Sequence, residues 1–294
     1  MNEDPLGSTK GAKPPYRVTK YLEKLIETEE CIRRQFVPSD EEKDESKGEA
    51  DPLAEESHSI SSRCIHKYED RVLIYSCNTC FSTCRFCTRR RLLKKKESII
   101  SDIEVDRIVS YLEEHKEVRD CVISGGDPLT LTNTKLKSIL SKLRKVESVQ
   151  ILRIGTRAPI VQPKRISSKL VNMLKKFSPI FVNIHCNHPA ELTQEVKRAC
   201  NLMSDNGLVL GSQTVLLRGI NDNKETMREL MQKLLTFKIR PYYIYQCDRV
   251  SGTKHFWTSK ETGVEIIKYL QKTTSGLCVP RFVEDTADRK VSLA

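Results

Sequence analysis

The sequence predicts an α/β protein in which parallel strands alternate with crossover helices. Short apolar runs and helical stripes alternate about six times between residues 71 and 272, the signature of a parallel sheet covered by helices. Of the 294 residues, 38% are hydrophobic and 30% charged, a balance that suits a globular chain with a large core rather than disorder. Polar and glycine-containing segments follow the apolar runs, and sheets of this kind gather their chemistry at the carboxyl ends of the strands.

Residues 1–63 read as an arm. Tyr21–Arg33 has Leu22, Leu25, Ile26 and Cys31 at roughly helical spacing, and Ser39–Glu56 is rich in Asp, Glu, Lys and Ser, which reads as a mobile acidic loop. Residues 64–273 carry the alternation. Arg71–Ser76 is long enough for a buried strand, and Ile103, Val105, Ile108, Val109 and Leu112 form a helical stripe. Further strands are expected at 121–123, 151–154, 180–184, 209–214 and 242–245, with helices at 134–145, 168–177, 192–206, 224–237 and 260–272. Residues 274–294 form a short C-terminal tail. Six such units suit either an open doubly wound sheet or a partial barrel.

The formal net charge of +11 suits anionic partners such as nucleic acid, membrane or cofactors, but the excess is spread along the chain and also fits a solvated surface. The start, Met1-Asn2-Glu3-Asp4, is polar, and no stretch resembles a signal peptide or a membrane span. This predicts a cytoplasmic protein without a membrane partner. In a reducing compartment the eleven cysteines point to metal binding or buried filler rather than disulfides.

Cys80-Phe-Ser-Thr-Cys84-Arg-Phe-Cys87 follows the first apolar run. Three thiolates at these spacings can hold three corners of a four-iron four-sulfur cluster and leave one iron open. Cys77 or Cys64 could complete a zinc site instead, so the spacing alone leaves zinc open.

The C-x3-C-x2-C motif after the first strand resembles that of radical S-adenosylmethionine (SAM) enzymes. The text around it is similar to the lysine 2,3-aminomutase family: His66–Arg71, Cys87–Arg91, Ser124-Gly-Gly-Asp127, Arg153–Arg157, Asn183–Pro189, Gly211–Asp222 and Arg240–Asp248. The resemblance covers roughly residues 51–285. It implies a partial (β/α)6 barrel of parallel strands with an N-terminal helical arm. It also implies a 4Fe-4S cluster on Cys80, Cys84 and Cys87, the cofactors SAM and pyridoxal phosphate (PLP), and a 1,2-shift of an amino group that converts L-lysine to β-lysine.

Roles follow from the same resemblance. Ser124, Gly125, Gly126 and Asp127 should meet the methionine end of SAM, the glycines by close backbone approach. His185 and Gln213 should line the same cavity, although His185 also reads as a structural histidine beside Asn187. Arg71 should lie near the PLP phosphate, with Lys67 in place of an arginine, which keeps the charge but loses the fork. Arg89 matches the group that grips the substrate carboxylate. Asp248 and Asp285 match the pair that holds the distal ammonium of lysine, and unpaired carboxylates in a closed site need a cation. The run Arg89–Lys96 also looks like a nucleic-acid patch, but its arginines adjoin the cysteine motif.

The tail departs from the family. Asp285-Thr-Ala-Asp-Arg-Lys290 lacks the glycine-rich loop that carries the PLP lysine, and Lys290 stands two residues early; it also reads as a solvated terminal lysine. The cysteine that should follow Asn221-Asp222 is Asn223, and the chain stops before the family's zinc tail, so no structural zinc is expected and the homo-oligomer that zinc supports is left open. The implied partners are a small-molecule substrate and an electron donor such as flavodoxin or ferredoxin. Competing readings are an aminomutase that supplies β-lysine to a translation factor, a radical SAM enzyme without the PLP step, and a basic nucleic-acid-binding module with a structural metal.

Overall fold

The computed structural model describes residues 14–93 and 96–294. The acidic start Met1–Asp4 and two lysines of the basic run, Lys94 and Lys95, lie outside the described residues.

One ten-stranded sheet organises the chain. Its strands are β1 (Ser59–Ser61), β2 (Cys64–Tyr68), β3 (Arg71–Cys77), β4 (Asp120–Gly125), β5 (Ile151–Thr156), β6 (Ile180–His185), β7 (Val209–Leu216), β8 (Arg240–Gln246), β9 (Arg281–Asp285) and β10 (Lys290–Ser292). Spatial order equals chain order, and β3 to β9 run parallel. A doubly wound sheet reverses its strand order at a switch point. This one never reverses, so its helices lie on one face and the sheet curls as an open barrel wall. Antiparallel pairs, β1–β2–β3 and β9–β10, finish the two edges.

The six expected strands are all present, and most are longer by one or two residues. Each crossover helix starts at a polar cap whose side-chain oxygen accepts a backbone N–H: Ser101, Thr132, Ser167, Thr193, Asn223 and Ser259. Asn223, the position where the family resemblance would put a cysteine, therefore has a structural task.

Strand alternation divides the side chains. Ile74, Ile123, Ile154, Val182, Leu210, Ile244 and Phe282 turn outward to the helices and are buried in the main core. Inward positions line a cavity, and among them Arg153, Asn183, Gln213 and Tyr245 are polar, beside the apolar Leu73, Val122 and Val215. Among the described residues no helix is long and apolar enough to cross a membrane, and all eleven cysteines are free.

At the ends of the chain the elements differ from those expected. The helix expected over Tyr21–Arg33 is two, Lys20–Thr28 and Glu30–Phe36, separated at Glu29, whose backbone is extended. Leu22, Ile32 and Phe36 are fully buried in the barrel's own core, so the arm is part of the barrel's packing. Tail residues Arg281–Asp285 add β9 to the parallel set.

The segment Ser39–Glu56 is not a free acidic loop. Glu42 accepts from Arg85 Nε and Nη2 at 2.7 and 2.6 Å and from Arg90 Nη2 at 2.9 Å, with Arg85 and Glu42 both buried. Burial pushes the Glu42 carboxyl up, but the two arginines overrule it and hold it below the ordinary carboxylate range. The acidic residues mark binding partners for the arginines of the cysteine motif.

Removing one partner of such a pair strands the other charge. Glu42→Gln is expected to destabilise the apo chain by about 3–5 kcal/mol, whereas Glu30→Gln, in an exposed pair with Arg33, should stay within about 0.5 kcal/mol. Urea midpoints check this, and equal losses would refute the anchoring role.

Candidate functional site

The cysteine motif leaves the carboxyl end of β3 and is held from both sides. From the arm, Arg17 O accepts from Thr83 N at 2.9 Å, Gln35 O accepts from Arg85 N at 2.9 Å, and Arg17 Nη1 donates to Cys80 O at 3.2 Å. From the barrel, Gly126 N donates to Cys77 O at 2.6 Å and Asp127 N to Thr79 O at 2.8 Å. Burial pushes the Cys80 thiol well up and the Cys87 thiol up to about 11; thiols of the motif crowd both, with Asp127 beside Cys80 as well. Thiols so placed give up their protons when a metal group takes them. Cys84 Sγ already accepts from Arg157 Nη1 at 2.8 Å, as a metal-bound thiolate would. Cys77, the alternative zinc ligand, points its Sγ at Asp127 O and Thr79 O instead. Among the described residues no three His, Cys, Asp or Glu side chains gather closely enough for a single chelated ion. A cluster, whose thiolates bind separate irons, makes no such demand.

The Ser124–Asp127 turn packs closely against the start of the cysteine loop. A Cβ on Gly125, where φ is +121°, would lie 2.3 Å from Cys77 O, and one on Gly126 would lie 2.3 Å from Thr79 O. The glycines are required for packing against the backbone that opens the cysteine loop, and neither lines the cavity. Asp127 is buried and accepts from Leu129 N, Arg157 N and Thr156 Oγ1 at 2.7–2.9 Å; it too stands behind the cavity wall. Of the six residues expected at SAM, Ser124, His185 and Gln213 line the cavity.

His185 is both structural and available. Burial, then the Arg157 charge, lowers it to about 3, so its ring is neutral. Asn187 Oδ1 accepts from Val215 N at 2.9 Å, which fixes its amide, so His185 Nε2 donates to that oxygen at 3.2 Å and Nδ1 keeps a free lone pair.

The cavity has a volume of about 300 Å³. It is lined by charges of both signs. Arg71 and Arg153 stand on β3 and β5. Arg71 lies 4.2 Å over the Tyr68 ring, and its Nε, which makes no hydrogen bond among the described residues, lies 3.7 Å from Asp70 Oδ1. Lys67 is less free than expected: its ammonium donates to Thr286 O and, at 3.3 Å, to Leu53 O, tying tail to arm.

Asp248 and Asp285 stand at the ends of β8 and β9, with Thr88 Oγ1 donating to Asp248 at 2.5 Å and Tyr68 to Asp285 at 3.4 Å. Burial, reinforced by Asp285, pushes the Asp248 carboxyl up to about 7 against the Thr88 bond. Lys290 enters the same space. Its Nζ lies 3.7 Å from Asp285, bonds Tyr245 Oη at 2.9 Å and sits 4.6 Å from the Tyr243 and Tyr245 rings. Burial lowers its basicity, and Arg71 and Arg153 press it further down while Asp285 opposes. It is a cavity lysine, not a solvated terminal one.

Arg89 lines the cavity too, but it already has a carboxylate. Glu55 accepts from its Nη2 at 2.6 Å and its Nε at 2.9 Å, and Tyr75 Oη lies 3.2 Å from the same Nε. The arm thus orients Arg89, leaving Nη1 without a partner among the described residues. Sequence reasoning missed Glu55, because nothing local links it to an arginine 34 residues on. It also missed Thr88 and Tyr245.

Three comparisons bear on this site. The profile of the Radical SAM superfamily matches residues 74–232. An L-lysine 2,3-aminomutase of Fusobacterium nucleatum subsp. nucleatum is 44% identical over 91% of this chain and 64% of its own length. A glutamate 2,3-aminomutase of Clostridioides difficile is 38% identical over 93% of this chain and 65% of its own length. The chain therefore spans slightly under two thirds of these curated relatives. Among solved structures, a radical SAM methyltransferase from Sphaerobacter thermophilus superposes with a TM-score of 0.55 at 14% identity, over 77% of this chain and 72% of that one; at that identity it shares the fold alone.

The raised Asp248 carboxyl has a pH signature. It favours the protonated form in the folded state, so its stabilisation is complete below the unfolded value of about 4 and is lost as pH rises to about 7. Asp248→Asn should therefore gain roughly 1–3 kcal/mol over the parent at pH 8 and distinctly less at pH 5. Urea titrations of both apo chains at the two pH values test this, and a pH-independent difference would contradict the raised carboxyl.

Proposed function

The chain belongs to the radical SAM superfamily, and on that footing we propose that it is an isomerase that converts L-lysine to β-lysine. The observation that carries the reading is that the Asp248 and Asp285 carboxylates and the Arg89 guanidinium line one cavity. A glutamate substrate would want a cation where these two carboxylates stand. A lysine brings an ammonium to them and an α-carboxylate to the free Nη1 of Arg89. Sites built on such polar partners reject analogues that lack the partner by roughly 10⁴–10⁵.

The residues fit three groups. Cys80, Cys84 and Cys87 would hold a four-iron four-sulfur cluster, which supplies one electron to SAM and so generates a hydrogen-abstracting radical. Ser124, His185 and Gln213 would line the SAM side, with His185 Nδ1 as an acceptor. Arg71, which lines the cavity, would bind the phosphate of PLP, the cofactor whose π-system lets an amino group migrate. Lys290 would hold PLP covalently: its lowered basicity leaves more of the amine neutral and nucleophilic. Arg89 orients the substrate and Glu55 keeps Arg89 in place. Residues 274–294, through Asp285 and Lys290, close the site over the 64–273 barrel. We take the electron donor to be of the flavodoxin or ferredoxin class and the compartment to be the cytoplasm.

The test is anaerobic reconstitution with iron and sulfide, reduction, and addition of SAM, PLP and either L-lysine or L-glutamate. We expect 5′-deoxyadenosine and β-lysine with L-lysine, and no β-glutamate. Asp248→Asn should lower lysine turnover by roughly 10³–10⁴ with cluster content unchanged. Lys290→Ala should remove the visible absorbance of covalently bound PLP. Deoxyadenosine without β-lysine would refute the mutase and leave another radical SAM activity; neither product from a loaded cluster would refute both.

A further inference from the structure

Arg157 is not among the residues that line the cavity, yet it is one of the most heavily bonded side chains described. It follows β5 directly and is 7% exposed. Its Nη1 donates to Cys84 Sγ at 2.8 Å, and its Nη2 donates to Gln35 Oε1 at 2.6 Å and Glu191 Oε2 at 3.0 Å. The Phe36 ring lies 4.4 Å away, and the Asp127 carboxylate holds its backbone N–H at 2.9 Å. Glu191 is fully buried and is itself fixed by Gln35 Nε2 at 2.9 Å and Asn187 N at 3.2 Å. The result is a buried, oriented charge pair whose positive end touches a cysteine of the motif.

We infer that Arg157 and Glu191 together set the electron affinity of the cluster on Cys80, Cys84 and Cys87. The inference rests on the cluster reading above. Reduction adds one electron, from an external one-electron donor, and part of that charge falls on the thiolate sulfurs. A charge-assisted N–H···S bond strengthens as the sulfur becomes more negative, so Arg157 favours the reduced form. The Glu191 carboxylate opposes it. Neither group is screened by solvent, so both act at nearly full strength in the interior. Arg157 is thus a positioning residue for the cluster, tuned by the carboxylate behind it.

Opposite charges predict opposite shifts, which a merely structural role would not produce. The parent, Arg157→Gln, Glu191→Gln and the double variant would be reconstituted anaerobically with iron and sulfide. Each would be titrated with titanium(III) citrate while the EPR signal of the reduced cluster is followed. Arg157→Gln should lower the midpoint by about tenfold in the one-electron equilibrium, about 59 mV, and Glu191→Gln should raise it. The double variant leaves no unpaired buried charge, so it keeps the comparison if Arg157→Gln fails to fold; it should lie below Glu191→Gln. Shifts of one sign in both single variants, or a double variant that coincides with Glu191→Gln, would overturn the inference. A parent that takes up iron and sulfide without giving a reducible cluster would overturn the cluster reading and the inference together, and the missing signal in the parent distinguishes that case.

Discussion

The structure depends on how the buried arginines of the cysteine loop are neutralised. Arg85, Arg89, Arg90 and Arg91 lie within seven residues, and three of them are buried. Left alone they would repel one another and draw the loop toward water. Glu42 takes Arg85 and Arg90, while Glu55 takes Arg89 and Arg91. Burial pushes the Glu55 carboxyl up as it does that of Glu42, yet the arginines hold both below the ordinary range, so both stay ionised. Buried ion pairs add little net stability over apolar packing. What they supply is position: the loop has one arrangement in which each guanidinium meets its carboxylate. The cysteines inherit that arrangement, and so does the free edge of Arg89.

The barrel wall adds a second constraint. Its outward residues are apolar and carry the helices, which frees the inward residues to be polar. Seven adjacent parallel strands point their carboxyl ends at one space, so residues distant in sequence converge without any loop having to reach. Cations come from β3 and β5, carboxylates from the ends of β8 and β9, and the neutral His185 and Gln213 from β6 and β7 between them.

Much of this was legible in the sequence. The six strands are contiguous apolar runs and their helices have periodic stripes, both local signals. The cysteine motif is local as well. What stayed hidden was non-local. Glu42 and Glu55 sit in a segment whose composition is that of a solvated loop, and composition cannot say that the partners are buried arginines 34 and more residues away. A Gly-Gly pair says only that something approaches closely, and the pair's own pattern did not show that the backbone of residues 77–79 makes that demand at Gly125 and Gly126. The strand at Arg281–Asp285 is short and follows the last clear helix, so nothing in its own pattern distinguished it from a tail. Asp248 and Asp285 were recognised from motif register, and β9 explains why they meet: its register against β8 pairs Tyr245 with Val283 and brings both strand ends to the same rim.

The charge distribution has a consequence for selectivity. A carboxylate pair in a closed space is unfavourable in the free protein, and the raised Asp248 carboxyl expresses that cost. An ammonium placed between Asp248 and Asp285 reverses the sign of the local field for both, so part of its binding energy is relief of repulsion already present. A carboxylate at the same position would raise the Asp248 carboxyl further instead of relieving it. On the proposed reading, this field would favour a basic side chain over an acidic one. Lys290, 3.7 Å from Asp285, meets the same field. Its ammonium offsets the pair while the cavity is free, and an incoming cation relieves Asp285 of that duty. The neutral amine then becomes easier to reach, which links the filling of one end of the cavity to the chemistry of the residue beside it.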